Sequence, residues 1–484
     1  MKEGKNRLGE DEKKRIVYSP GEIIGKEIFE QTSNGQYVVW NMKERAFAMA
    51  PEHKEGRMLY ENSTAIYYPL NVLPWPTADL PTKTVEHEEL WQQVYNFIYT
   101  YVDLPDKLLY DVLTAWVFAT YLREKLKVVP YLFAYGPLSS GKTWLLEVLQ
   151  KICYRGIIGS NVSAAALYRG IEKFHPTTFL DETEIYSVAE KSEVIGLLNS
   201  GYRKGQYAWR VKNTEQGTEI EFFDVFGFKA LAGTEKMKAT LESRSIVIRM
   251  MKNRRAIPLH IDEEKALDLR NKLLNWRFRK LSDISDVSDS YLEHPIGSSN
   301  QRIDELFECL FLVANKGKEN ILKYAQKLDA EWQSREETSI EAEVLEFMLE
   351  CEGSIENSVL FTKTVADKFN EDRNEREKWK TASIGRLISR LGFIQKRGPN
   401  GERGWFWDKE RIEYLKERYH IPSELPSEPS EPSETWTCKF CGKPGTGLYD
   451  KIFGDNNEEY KAHFDCARQW RVNKGFQEQQ HEGS

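Results

Sequence analysis

The stretch GPLSSGKTWLLEVL, Gly136 to Leu149, limits this chain more than any other, because it fits the pattern G-x-x-x-x-G-K-[ST]. Such a loop works only between a strand and a helix, so it commits the surrounding residues to an α/β layer. VVPYLFAY, Val128 to Tyr135, supplies the strand, and Pro130 suits its start because proline cannot donate to a central ladder. TWLLEVLQKI supplies the helix. Gly136 and Gly141 let backbone amides turn inward around phosphate oxygens, Ser139 and Ser140 complete the loop, and the helix N-terminus adds partial positive charge. Lys142 is placed to reach the β- and γ-phosphates of ATP, and Thr143 to ligate Mg²⁺.

A second carboxylate site is expected on a neighbouring strand. TTFLDE, Thr177 to Glu182, fits: Asp181 would stand near the Mg²⁺, and Glu182 would polarise an attacking water. A small-molecule kinase attacks with a bound substrate group and needs no water-activating glutamate. The Asp-Glu pair therefore favours hydrolysis, the plainer alternative being a surface helix start that happens to read DETE.

Beyond it, two strand-like runs flank Lys212-Asn213-Thr214-Glu215-Gln216-Gly217, hence a hairpin. An apolar strand then ends at Gly233-Thr234, and Arg244 stands just ahead of another strand. Taken in order, YGPLSSGKTWLLEVL, TTFLDE, LLNSGYRKGQYAWRV, FGFKALAG and LESRSIVIRM resemble the AAA+ ATPase module of phage-, plasmid- and mobile-element-type primase–helicases, over roughly Tyr131 to Met251. The resemblance implies a ring, usually a hexamer, with ATP bound between subunits. It implies that Thr234 is the sensor at its strand end and that Arg244 is an arginine finger offered to a neighbour's ATP. Lys212 would sit on a hairpin gripping single-stranded DNA in the pore. The expected activity is that of an ATP-hydrolysing DNA helicase or replication initiator of a mobile genetic element. Two alternatives are a DNA-binding regulator that uses ATP as an assembly switch and a DNA packaging or transposition ATPase. The residues before 127 hold no convincing cluster of metal-binding carboxylates, so primer synthesis is not expected.

At 484 residues the chain is too long for one core. The expected divisions are a β-rich part (1–84), a helical connector (85–126), the P-loop ATPase (127–260), a helical segment (261–335), a winged helix (336–419), a Pro/Ser/Glu tether (420–435) and a zinc module (436–484). The winged helix is read from three helical patterns and a hairpin turning at Pro399-Asn400-Gly401. Its third helix carries Lys380, Arg386 and Arg390, and its wing Lys396, Arg397 and Arg403, a concentration of cations suited to duplex or forked DNA. Cys438-x-x-Cys441 and His463-x-x-Cys466 supply four ligands for a closed tetrahedral Zn²⁺ site, a staple for a segment too short to build its own core. Its partners could include other replication proteins. The net charge of −7 gives no global nucleic-acid signature, so DNA contact must use these local patches. The charged N-terminus has no apolar signal core, and no stretch is long enough to span a bilayer. A cytoplasmic protein is expected.

Overall fold

Short runs rich in β-branched and aromatic residues form the first strands: β1 (Arg15–Tyr18), β2 (Gly21–Ile24), β3 (Glu27–Gln31), β4 (Tyr37–Asn41), β5 (Ala46–Met49), β6 (Tyr60–Glu61) and β7 (Ala65–Tyr68). The computed structural model describes residues 15–49, 60–61, 65–79, 84–181, 188–214, 217–284, 296–298, 300–371, 373, 377–398, 401–421, 436–445, 450–453, 459–463 and 466. β2 to β5 form an antiparallel sheet, while β7 lies between β1 and β6. Period two divides β3 and β4 between two cores: Ile28, Val38 and Trp40 join the main one, and Phe29, Tyr37 and Val39 a smaller one with Tyr60. Gly35, at φ +77°, makes the β3–β4 turn, in line with the Asn34-Gly35 signal.

Two helices follow, α1 (His87–Tyr101) and α2 (Leu108–Thr120). Almost every residue of α2 is buried, which explains its lack of a polar stripe. The next stretch runs β8 (Tyr131–Tyr135), α3 (Lys142–Ile152), β9 (Gly156–Ser160), α4 (Ala164–Phe174), β10 (Thr177–Asp181), α5 (Val188–Ser200), β11 (Tyr207–Thr214), β12 (Gly217–Asp224), β13 (Lys229–Gly233), α6 (Ala239–Glu242) and β14 (Ser245–Arg249). Five strands form one sheet in the order β14-β8-β13-β10-β9, every pair parallel. β11 and β12 form a separate antiparallel ribbon. The helices α7 (Glu263–Asp283), α8 (Gln301–Val313) and α9 (Lys318–Glu337) come next. The chain thus has the multidomain α/β P-loop fold expected from its sequence.

The β-rich start is anchored to the α/β layer by buried charge. Arg155 Nη2 meets Glu30 Oε2 at 2.8 Å, Arg277 reaches Glu124 at 2.8 Å and Glu30 at 3.4 Å, and the Tyr154 hydroxyl donates to Glu30. Burial alone would raise the Glu124 carboxyl, but Arg277 and Arg123 overcome that and bring it down to about 2. Removing one member of such a network strands its partner in the interior, at a cost of about 3–5 kcal/mol. Trp40 adds an apolar tie, stacking on Phe278 and donating to Ser282 Oγ at 2.9 Å.

The chain forms two compact units, one ending at Trp332 and one beginning at Gln333. The second holds α10 (Ile340–Glu350), β15 (Val359–Phe361), α11 (Thr362–Phe369), α12 (Thr381–Arg390), β16 (Gln395–Arg397), β17 (Arg403–Phe406) and α13 (Lys409–Tyr419). α10, α11 and α12 close on a core that includes Val344, Ile384, Ile388 and Trp405, beside the sheet β15-β17-β16. The short strands β18 (Trp436–Thr437), β19 (Pro444–Gly445), β20 (Asp450–Phe453) and β21 (Glu459–Ala462) follow. Residues 399–400 of the expected hairpin turn and residues 422–435 of the expected tether (420–435) lie outside the described residues.

Candidate functional site

In a parallel sheet all strand ends of one kind share an edge, and the loops there converge. At the C-terminal edge, β8 runs into Gly136, β10 ends at Asp181, and β13, between them, ends at Gly233-Thr234. Neighbouring strands are about 4.8 Å apart, so Asp181 and the loop are about 10 Å apart across the sheet, with Thr234 between them.

The loop has the shape its motif requires. A Cβ on Gly136 would lie 2.2 Å from the Met250 carbonyl oxygen, so only glycine fits there. Ser139 (φ +60°) and Gly141 (φ +81°) take left-handed conformations that swing the chain round before Lys142 opens α3. Lys142 Nζ donates to the Gly136 and Pro137 carbonyls at 2.9 and 2.7 Å, holding its charge across the loop. Ser140 is 2% exposed, and its hydroxyl is buried without a hydrogen-bond partner among the described residues. A cradle of turned amides, a fixed ammonium and a spare hydroxyl suits phosphate oxygens. Thr143 is exposed on the first turn of α3, and Asp181 is half-buried at its strand end. Thr234 is exposed. Glu182 lies outside the described residues.

Arg244 stands elsewhere. Ser245 pairs with Tyr131, so Arg244 lies at the N-terminal edge of the sheet. A whole strand, roughly 15–20 Å at about 3.3 Å per residue, separates it from the loop of its own chain. Its guanidinium donates to the Thr240 carbonyl and lies 5.8 Å from the Tyr202 ring centroid, while its Nε is buried without a partner among the described residues.

Lys229, at the start of β13, escaped the sequence reading because FGFKALAG scans as an ordinary apolar strand. It is 1% exposed and among the described residues bonds to carbonyls, those of Gly227 and Val225 at 2.8 and 2.9 Å and of Gly201 at 3.4 Å. Burial, with Arg123 nearby, lowers its ammonium to about 7. These carbonyls flank the β11–β12 ribbon, so one buried amine ties both its roots to the strand that ends at Thr234.

On the ribbon, Lys212 is exposed but ion-paired to Glu221 at 2.8 Å, which spends part of its charge internally. In the second unit, Lys380 stands at the N-cap position of α12, and Arg386 bonds Ser383 Oγ at 3.1 Å. Arg390 pairs with Glu341 at 3.1 Å, and Lys396 lies over the Phe406 ring. Arg397 and Arg403 face each other directly across β16 and β17, both exposed. Like charges so placed destabilise a ladder, and an anion between them would relieve that.

The ligand atoms of Cys438, Cys441, His463 and Cys466 all lie within 4.8 Å of one another. Donors around tetrahedral zinc stand about 3.5–3.8 Å apart, so the group fits that ion with small adjustment. Burial raises the Cys438 thiol, but backbone N–H groups of Cys441, His463 and Phe440 outweigh it and bring it to about 6, while burial and the neighbouring Cys441 and Cys438 push the Cys466 thiol up to about 11.

No known protein family and no curated protein matches the sequence. The solved structures similar to it include SCCmec type IV Cch, an active helicase, with a TM-score of 0.37 and 10% identity, covering 84% of this chain and 81% of that one. The apo A form of the NrS-1 C-terminal region gives a TM-score of 0.31 and 12% identity, covering 78% of this chain and 94% of that one. Inhibitor-bound JCV helicase gives 0.21 and 17%, covering 50% and 61%. Similarity at this level names no function for the chain. Among the described residues, no helix is long and apolar enough to cross a membrane.

Proposed function

We propose that this chain is an ATP-hydrolysing ring motor that separates DNA strands, a helicase or replication initiator of the mobile-element type. The observation that supports it best is the division between the two sheet edges. The loop, Asp181 and Thr234 share one edge, and Arg244 lies at the other, so its charge can reach a nucleotide only on a second copy. ATP is the natural occupant of the cradle and supplies the bond to be cleaved. The amides of the loop and Lys142 orient its phosphates, and Thr143 and Asp181 hold Mg²⁺. Glu182 takes the proton from the attacking water, Thr234 senses the γ-phosphate, and Arg244 of the adjoining copy offsets the charge that develops in transfer.

Lys212, on the ribbon face opposite Trp209 and Phe222, contacts single-stranded DNA in the ring. Lys380, Arg386, Arg390, Lys396, Arg397 and Arg403 take the duplex, in the geometry of a winged helix. The Cys438/Cys441/His463/Cys466 group holds structural Zn²⁺, since four protein ligands leave no open position for catalysis. The test is strand displacement on a forked duplex with ATP. Displacement by the wild type, lost in Lys142→Ala, supports the motor. ATP-dependent DNA binding with no displacement on any fork or polarity would replace it with an assembly switch.

A further inference from the structure

The β11–β12 ribbon carries an apolar face left exposed among the described residues. Directly opposed residues on an antiparallel pair point the same way, and the register sets Trp209 against Phe222 and Val211 against Ile220, with Tyr207 next along the same face. Their exposures are 50% for Tyr207, 65% for Trp209, 69% for Val211, 56% for Ile220 and 53% for Phe222. The opposite face is the one that packs: Phe223 lies 4.4 Å from the Tyr168 ring, and Arg210 bonds Glu193. A two-stranded ribbon is marginal by itself and needs an apolar layer against it. At about 150–250 Å² per large side chain, the five leave on the order of 500 Å² in water, as large as the largest patch on a typical monomer.

We propose that this face is an interface with a second copy of the chain. Charge is the first reason. The face carries no cation; its one carboxylate, Asp224 at the root, pairs with Arg123 at 2.8 Å. A nucleic-acid strand would find nothing there to neutralise its phosphates, which is the larger part of such binding. Position is the second. The ribbon springs from the N-terminal edge of the sheet, where Arg203 bridges Val128 and Tyr202 lies beside Arg244. A copy that receives Arg244 at its loop is therefore brought against the edge that bears the ribbon. Area is the third, since a standard interface buries about 800 Å² per partner and this face supplies more than half of that. The inference rests on the proposed reading that Arg244 serves an adjoining copy.

The test is sedimentation velocity of the full chain over a concentration series, with a non-hydrolysable ATP analogue, beside anisotropy of a single-stranded oligonucleotide. The wild type should assemble. Trp209→Thr/Phe222→Thr should weaken assembly at least tenfold, with DNA affinity per subunit held within about twofold at concentrations where both are dissociated. Val211→Asp, far from the ribbon root, should do the same and decides the matter if the double variant fails to fold. A folded variant that assembles like the wild type overturns the interface, and if it also loses DNA affinity, bases occupy the face instead. A wild type that stays monomeric overturns the interface and the proposed ring together.

Discussion

Replacing Lys229 with methionine should make the stability of the first unit depend on pH differently from the wild type. The side chain is buried, has no bonded carboxylate among the described residues, and has its ammonium lowered to about 7, against 10.5 in the unfolded chain. Between these values the unfolded chain binds the extra proton, so stability climbs as pH rises through the folded value. From pH 7, where the folded amine is half protonated, to pH 9, at about 1.36 kcal/mol per unit, the wild type should gain about 2 kcal/mol relative to Lys229→Met. Losing the hydrogen bonds to Val225 and Gly227 adds a further cost of about 1–3 kcal/mol for each group left unsatisfied, but that cost is the same at every pH and cancels in the comparison. Urea titrations of both proteins at pH 6, 7, 8 and 9, followed by circular dichroism, read the difference directly. The gap should be flat below pH 7 and should shift towards the wild type above it. A gap that stays constant from pH 6 to 9 would show that Lys229 is not held in this environment.

Arg244→Ala should retain ATP affinity and lose turnover by on the order of 10³-fold or more, while mixing it with Glu182→Gln subunits should restore part of the rate; no rescue at any ratio would put Arg244 in cis. Cys438→Ser should release zinc, read by a colorimetric chelator, and leave basal ATPase unchanged; a large fall in ATPase would contradict an independent tail. Arg386→Ala should weaken duplex binding and flatten its salt dependence by about one unit while sparing single-strand-stimulated ATPase. Equal losses on both substrates would assign Arg386 to something other than the duplex.

What could be read in the sequence was local. The strand before Gly136, the helix from Lys142 and the turn at Gly35 each follow from a few adjacent residues, and the structure has all three. The alternation in β11 and β12 was equally visible, yet it says only that the ribbon has two faces. It does not say that the apolar one stays exposed. Arg155 and Glu30 are paired across 125 positions, a partnership no spacing rule could suggest. Arg244 was legible as an arginine before a strand, but its separation from the loop depends on strand order, which only the folded sheet reveals. Lys212 read as a bare cation and turned out to share its charge with Glu221.

ATP turnover with and without single-stranded DNA tests the motor most directly. The wild type should hydrolyse ATP, its rate should rise when single-stranded DNA is added, and Lys142→Ala should lose both the basal and the stimulated rate. Turnover by Lys142→Ala at the wild-type rate, or a wild-type rate indifferent to DNA, would contradict a nucleotide site coupled to a moving strand.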